Sequence, residues 1–185
     1  MTPRPVPVLI VAGTVGVGKT SVGYAASHIL STHEMPHAFV DKDGLCVSWP
    51  PQGRFNDDMA FRNLASMWRN FADAGAERLI SAGVVEERAD LDRYREAIPG
   101  ALITVCWVRA SQAAREARLR GRDEGESLAW HLARTVELEA IVEAARVHDF
   151  EVWNEDRPML DTAQEVLVKA RWIDDRPERR RGRHR

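Results

Sequence analysis

A glycine-rich octapeptide near the start of the chain constrains the fold more than any other feature. Residues 13–20 read G-T-V-G-V-G-K-T, which fits the pattern G-x-x-x-x-G-K-[S/T]. An apolar run, 6–12, precedes them, and a helix-like segment follows from Thr20. A buried strand, a glycine turn and a helix in this order let backbone N–H groups surround a polyphosphate at the positive end of the helix. The octapeptide therefore predicts a phosphate-binding loop; the alternative, a glycine-rich turn that contains a lysine, accounts for fewer of these features.

The pattern also assigns roles within the loop. We expect Lys19 to reach the β- and γ-phosphates of ATP or GTP, and Thr20 to bind Mg²⁺. The predicted nucleotide-binding residues are Gly13, Thr14, Val15, Gly16, Val17, Gly18, Lys19, Thr20 and Ser21.

Apolar runs of strand length alternate with helix-period segments along the chain, which is typical of a parallel sheet covered by helices on both faces. Strands are predicted at 6–12, 37–41, 77–85, 101–108 and 149–153. Helices are predicted at 21–32, 57–74 with Asn56 or Asp57 as cap, 89–98 and 161–172, and a longer stretch, 111–147, is interrupted near 121–125. These elements predict a three-layer α/β domain with five parallel strands.

Length and composition limit the organisation of the chain. With 185 residues, 44% of them hydrophobic and 29% charged, we expect one globular domain over 1–175. Six arginines against one glutamate make 176–185 a basic tail, which we expect to be disordered and not a specific nucleic-acid site. No apolar run approaches a membrane span, and the start of the chain does not fit a secretory signal, so we expect a cytoplasmic protein without a membrane partner.

A second polar motif follows the second predicted strand. Asp41-Lys42-Asp43-Gly44 lies at the carboxyl end of that strand, where open α/β sheets place their ligands. A carboxylate here can orient an alcohol and accept its proton, so Asp41 is the first candidate for a catalytic base and Asp43 for acceptor binding. The alternative is a plain turn in which Lys42 pairs with either neighbouring acid.

Together, the early phosphate loop, the D-x-D motif, an arginine-rich segment after strand four and a short fifth strand resemble the nucleotide/shikimate-kinase-like P-loop kinases of small molecules. That group includes shikimate, gluconate and adenylylsulfate kinases and chloramphenicol phosphotransferase. The resemblance implies a five-stranded parallel sheet, ATP with Mg²⁺ as phosphate donor, and an Asp after strand two that serves the acceptor or the metal. It thereby places Asp41 beside Thr20 as a metal residue.

The resemblance also implies a mobile lid, over about 111–135, that supplies arginines. Arg118 then matches an arginine that stacks on adenine, Arg122 a catalytic lid arginine, and Arg134 one that approaches the phosphates. The segment 153–158 matches the backbone that passes under adenine. The alternative for the lid is a salt-bridged surface helix, because Arg115, Glu116, Arg120 and Glu124 have the spacing of i,i+4 pairs.

Acceptor specificity is expected from residues that follow the second and third strands. Arg54 and Arg62 are candidates for binding an anionic acceptor, with a surface role equally open for each. Glu86 or Glu87 is a candidate for binding an acceptor hydroxyl or amine, or for organising Mg²⁺ through water, and Glu86 is the first choice. The glycine triplet of shikimate kinases is replaced by Ser81-Ala82-Gly83-Val84-Val85-Glu86-Glu87, and the fuller acceptor motif of adenylylsulfate kinases is missing, so neither acceptor is carried over.

These features favour an ATP-dependent kinase that phosphorylates a hydroxyl of a small molecule, acting as a monomer or homodimer. Lys19, Asp41 and Arg122 are its expected catalytic residues. A nucleoside or nucleotide kinase is the nearest alternative, and a regulatory P-loop NTPase that acts through a protein partner is the alternative of a different class.

Overall fold

The computed structural model describes residues 4–50 and 55–175. Its centre is a parallel sheet of five strands: β1 (Val6–Ala12), β2 (Ala38–Asp41), β3 (Leu79–Ala82), β4 (Ala101–Arg109) and β5 (Phe150–Trp153). Their spatial order is β2-β3-β1-β4-β5, so the strand that precedes the phosphate loop is the central one. β1 pairs with β3 from Val8 opposite Leu79, and with β4 from Val6 opposite Ala101. The predicted α/β fold class is confirmed.

Six helices connect and flank the strands: α1 (Lys19–Thr32), α2 (Asp57–Asp73), α3 (Arg88–Ala97), α4 (Gln112–Arg120), α5 (Gly125–Ala145) and α6 (Met159–Lys169). A 3₁₀ turn, Lys42–Cys46, follows β2. Two helices, α3 and α4, begin with side-chain caps. The Ser111 hydroxyl accepts from the Ala114 amide at α4, and Glu87 and Asp90 form a capping box at α3.

The two faces of the sheet carry separate hydrophobic clusters. Leu9 and Val11 of β1 face α1 and α6 in one cluster, which includes Ala26 and Val166. Alternate residues of the same strand face the other cluster, to which α2, α3 and α5 contribute Leu64, Tyr94 and Val142 among others. Because β1 is covered on both faces, its run of apolar side chains is almost completely buried, as expected for a central parallel strand.

Most predicted element boundaries lie within two residues of the observed ones. β3 is shorter than predicted, Leu79–Ala82 in place of 77–85, and residues 83–87 form a loop into α3. Asn56, in the left-handed backbone region, is the N-cap of α2, and α6 begins at Met159, two residues before the predicted start. The basic tail and Arg54 lie outside the described residues. Within the described ranges, no helix has the length and apolar character needed to cross a membrane.

Candidate functional site

The phosphate loop joins β1 to α1 at the carboxyl edge of the sheet. Gly16 and Gly18 have φ angles of +83° and +93°, in the region where only glycine is unstrained. A Cβ on Gly18 would lie 2.7 Å from the side-chain nitrogen of Asn154, so glycine is required there for space as well. The loop thus has one property of a phosphate cradle, namely close approach of the backbone to its surroundings.

Lys19 folds back over this loop. Its Nζ donates to the Thr14 carbonyl oxygen at 3.1 Å. Burial lowers the pKa of Lys19; the Asp43 and Asp41 charges oppose that shift, while Arg122 adds to it. Lys19 is therefore close enough to the D-x-D motif and to Arg122 for their charges to act on its ammonium group. Because the Lys19 ammonium group is poorly hydrated, an anion bound beside it would stabilise its charged form.

Thr20 and Asp41 are in direct contact. The Thr20 hydroxyl donates to Asp41 Oδ2 at 2.7 Å, and the Asp43 amide donates to Asp41 Oδ1 at 3.1 Å. Both carboxylate oxygens of Asp41 are therefore engaged, which fixes the side chain beside the first turn of α1. A hydroxyl and a carboxylate side by side are the oxygen ligands that suit Mg²⁺ or one of its bound waters.

Asp43 is placed differently from Asp41, although the two are one residue apart. Asp43 is exposed, whereas Asp41 is half-buried. Among opposite charges, Asp43 has the largest effect on the pKa of Lys19. The exposed Asp43 carboxylate therefore lies near enough to Lys19 to act on the charge of its ammonium group.

Lys42, between the two acids, pairs with neither of them. It is buried, and its Nζ donates to Asp57 Oδ1 at 3.1 Å and lies 5.1 Å from the centre of the Phe61 ring. Burial tends to lower the pKa of Lys42, but Tyr94, Asp57 and Asp43 outweigh it and the net shift is upward. The pair ties the 3₁₀ turn that carries Asp43 to the first turn of α2. The alternative prediction, in which Lys42 of a plain turn pairs with a neighbouring acid, is therefore wrong.

On the opposite side, Arg118 and Asn154 hold the phosphate loop to the segment after β5. Arg118 of α4 donates to the carbonyl oxygens of Gly16 and Val17 and to that of Asn154, the last at 2.7 Å. The buried Asn154 side chain donates to the Val17 carbonyl oxygen at 2.7 Å. This brings the predicted adenine-contacting segments, Arg118 and 153–158, together beside the loop.

Arg115 reaches the phosphate loop from the same helix. It is buried, and its guanidinium donates to the Thr14 hydroxyl and to Glu139 of α5, each at 3.0 Å. The surface helix that the sequence allowed is therefore only partly present: Glu116 and Arg120 do pair, at 3.0 Å, but Arg115 points inward. Thr135 adds a further link, because its hydroxyl donates to the Val15 carbonyl oxygen at 3.3 Å.

The turn between α4 and α5 carries Arg122. This arginine is exposed and makes two hydrogen bonds to the adjacent Asp123, at 3.0 and 2.9 Å. Asp123 also contacts His131 Nδ1 at 2.8 Å, and the hydrogen bonds from Arg122 hold the pKa of Asp123 below its usual value. Arg122 lies near enough to Lys19 to influence its pKa, so it borders the phosphate site.

Arg134, expected at the phosphates, contacts acidic side chains instead. It is buried in α5, with one terminal nitrogen on Glu86 and the other 2.7 Å from Glu137. Its guanidinium lies 5.0 Å from the centre of the Phe55 ring. The structure thus brings together Arg134 and Glu86, two residues that the sequence predicted for different ligands.

Arg62, a predicted acceptor residue, is exposed on α2, whose buried side carries Ala60, Phe61 and Leu64.

Over residues 4–50 and 55–175, no three His, Cys, Asp or Glu side chains form a group able to hold a metal ion. The Thr20 hydroxyl and the Asp41 carboxylate are oxygen groups of the kind that Mg²⁺ prefers.

The observed roles of four residues were not predicted from the sequence: Lys42 and Asp57 as an ion pair, Arg115 as a donor to Thr14, and Asn154 as a side-chain donor to the phosphate loop. One signal was present for Arg115, because it lies four residues from Leu119 and the two share the buried face of α4. Nothing in the sequence pattern distinguishes the other three from turn and cap residues.

Comparison with known proteins is informative at the level of structure. No protein-family model matches the sequence, and no curated protein matches it. Among solved structures, a gluconokinase from Sinorhizobium meliloti 1021 aligns with a TM-score of 0.59 and 21% identity, covering 91% of this chain and 93% of its own. The fold is that of the P-loop kinases of small molecules.

Two further structural neighbours extend this finding. The APS kinase CysC of Mycobacterium tuberculosis, solved with AMPPNP and APS, aligns with a TM-score of 0.57 and 18% identity over 92% of this chain and 99% of its own. A shikimate kinase from Acinetobacter baumannii, solved with shikimate, aligns with a TM-score of 0.56 and 16% identity over 93% and 96%. The resemblance inferred from the motifs is confirmed as a shared fold.

Proposed function

We propose that this protein is an ATP-dependent phosphotransferase that transfers the γ-phosphoryl group to a hydroxyl of a small molecule. The observation that supports the proposal best is the contact between Thr20 and Asp41 beside Lys19. It joins a metal-binding hydroxyl–carboxylate pair to a phosphate-binding loop at one edge of the sheet. The small-molecule kinases with the same fold support the same class of reaction.

In this proposal the loop amides of residues 13–21 and the Lys19 ammonium hold the phosphates, while Thr20 and Asp41 hold Mg²⁺. ATP supplies the phosphoryl group, and Mg²⁺ neutralises phosphate charge when both are bound. Arg118 lies beside the segment that would carry adenine, and Arg122 borders Lys19, where a guanidinium can stabilise charge on the transferred group.

The two acids of the D-x-D motif take separate roles. Both oxygens of Asp41 already accept hydrogen bonds, whereas Asp43 is exposed and faces Lys19. We therefore assign the orientation of the acceptor hydroxyl, and acceptance of its proton, to Asp43, and the metal to Asp41. This reverses the order of the two candidates for the base that the sequence suggested.

Release of ADP from Mg²⁺-ATP tests this proposal. The acceptor panel would contain nucleosides, nucleotides, sugars and polyols, shikimate-like acids, adenylylsulfate, and aminoglycoside and phenicol antibiotics. We expect at least one acceptor to raise turnover, and Asp43→Asn to lower the stimulated rate by about 10²–10⁴-fold without loss of ATP binding. Asp41→Asn should raise the Mg²⁺ concentration needed for half-maximal rate.

Asp73→Asn serves as the matched control, because this exposed acid ends α2 and lies outside the proposed machinery. Stimulation by a nucleoside or nucleotide alone would select that subclass of kinase. If no acceptor raises turnover, and Asp41→Asn and Asp43→Asn release ADP at the parent's rate, the kinase proposal fails. Turnover that responds only to another protein would then favour the partner-coupled NTPase.

A further inference from the structure

Arg134 is a buried cation whose partners are all supplied by the protein itself. Its side chain is 5% exposed, against 33% for Glu86 and 45% for Glu137, the two carboxylates that it contacts. The Phe55 ring lies against the guanidinium. Two negative charges and one aromatic ring therefore surround one positive charge, and the cluster carries a net negative charge.

The position of this cluster follows from its neighbours along the chain. Thr135, the next residue, donates to the Val15 carbonyl oxygen of the phosphate loop. Glu86 lies four residues beyond β3, the strand between β1 and β2. Phe55 immediately precedes the first turn of α2, where Asp57 holds Lys42 of the D-x-D motif. Chain neighbours thus connect Arg134 to the phosphate loop and Phe55 to the D-x-D motif, and under the proposed function the acceptor would lie between these two elements.

This arrangement has consequences for the charge of the acceptor. A carboxylate or phosphate group that binds Arg134 must displace Glu86 or Glu137, and the displaced carboxylate would remain close to the new anion. Leaving a carboxylate unpaired beside a like charge is unfavourable. A hydroxyl or an ammonium group meets no such penalty, because either can donate a hydrogen bond to the half-exposed Glu86.

We propose that Glu86 masks Arg134 and so determines acceptor specificity: the acceptor carries an uncharged or positively charged group at this position, as in a polyol or an amino alcohol. The inference rests on the proposed function for the word acceptor, whereas the masking itself is a binding property. Glu86 is then a specificity-determining residue, because it occupies Arg134 and so prevents anions from binding this cation.

A matched trio of probes separates charge from shape. Gluconate, sorbitol and 1-amino-1-deoxysorbitol share their hydroxyl pattern from carbon 2 to carbon 6 and differ at carbon 1, which is a carboxylate, a hydroxymethyl or an ammonium-bearing carbon. Binding would be measured by calorimetry with the full chain, in the presence of Mg²⁺ and a non-hydrolysable ATP analogue that fills the phosphate loop. Glu86→Gln removes the mask, Glu86→Gln/Arg134→Gln removes mask and cation, and Glu96→Gln, an exposed position on α3, controls for loss of one charge elsewhere.

We expect gluconate to bind Glu86→Gln at least tenfold more tightly than the parent, and the double variant to lose that gain. The aminated probe should bind Glu86→Gln more weakly than the parent, and Glu96→Gln should match the parent with all three probes. Retained affinity for the ATP analogue shows that each variant is folded. Equal affinity of gluconate for parent and Glu86→Gln, including no binding to either, overturns the proposal.

The turnover measurement provides a second decision. Faster ADP release with gluconate than with both sorbitol and its amine would also overturn the proposal, whether or not Arg62 contributes to gluconate binding. If Glu86→Gln gains gluconate affinity that the double variant loses, but no acceptor of the full panel stimulates turnover and Asp41→Asn and Asp43→Asn release ADP at the parent's rate, the masking stands and the phosphotransferase proposal is the part that fails.

Discussion

Asn154 offers the sharpest test of how the phosphate loop is held. Its side chain is 2% exposed; Nδ2 donates to the Val17 carbonyl oxygen at 2.7 Å, and Oδ1 accepts from the Thr162 hydroxyl at 3.3 Å. Asn154→Ala removes both hydrogen bonds. The Val17 oxygen retains a contact with Arg118, but the fully buried Thr162 hydroxyl loses this acceptor.

The expected magnitude follows from these contacts. The lost hydrogen bond to the Val17 carbonyl oxygen is worth about 0.5–1.5 kcal/mol, and the buried Thr162 hydroxyl left without its acceptor costs about 1–3 kcal/mol. The total lies near 3 kcal/mol, which for a domain of this size lowers Tm by roughly 6–12 °C. Because the loop loses one of its anchors, ATP affinity should fall about fivefold, the equivalent of about 1 kcal/mol.

Urea and thermal unfolding would measure stability, and calorimetry would measure ATP affinity. The matched variants are Thr162→Ala and Asn154→Ala/Thr162→Ala, because the double variant no longer contains the hydroxyl that the single variant strands. We expect the double variant to be more stable than the sum of the single effects predicts, by about 1 kcal/mol. A loss below about 0.5 kcal/mol for Asn154→Ala, or strict additivity in the cycle, would refute this reasoning.

Three further predictions concern single positions. Gly18→Ala should cost about 1–3 kcal/mol of stability and abolish ATP binding, because the new Cβ meets Asn154 at 2.7 Å in a left-handed conformation; parent-like calorimetry would contradict this. The Ser111 hydroxyl and amide donate to Glu155 and hold its pKa below the usual value. The contribution of these hydrogen bonds to stability is therefore complete above the unfolded pKa and is lost as pH falls through the folded pKa. Glu155→Gln should flatten the loss of stability from about pH 6 to about pH 3, and stability curves that run parallel for parent and variant would argue against this. Burial raises the pKa of the Cys106 thiol, so at pH 8 a disulfide reagent should modify Cys46 alone in the native protein and Cys106 only on unfolding, with Cys106→Ser as the assignment control.

The fold could be predicted from the sequence because its signals are local. The run 6–12 is apolar throughout, and β1 is observed over those same residues, since a central strand is covered on both faces. The break near 121–125 also became a real boundary, between α4 and α5. β3 was predicted too long because Val84 and Val85 continue the apolar run, although the last parallel pair with β1 is Val11 opposite Ala82.

The candidate site could be predicted only where the chain is continuous. The phosphate loop is one segment, so its glycines and Lys19 could be named from spacing alone. Thr20 lies 21 residues from Asp41 in sequence, so spacing alone could not pair them. The resemblance led us to expect both residues at the metal. Lys42, in contrast, has two acids as chain neighbours but pairs with Asp57, since the 3₁₀ turn directs its side chain into the fold.

The partners of buried cations near such a site are difficult to predict from sequence, as three residues show: Arg115, Lys42 and Arg134. Each is nine-tenths or more buried, and each finds its carboxylate on another helix or in a loop: Glu139, Asp57 and Glu86 respectively. A buried ion pair adds little net stability, because desolvation offsets the attraction, so these pairs are better explained by the geometry they impose. They fix α4, the D-x-D turn and α5 around the phosphate loop. Lys19 differs from all three, because its ammonium contacts a backbone carbonyl and lies near a second cation, Arg122. The fold therefore neutralises the cations that position the site and keeps Lys19 on a weaker, uncharged partner that a phosphate can replace.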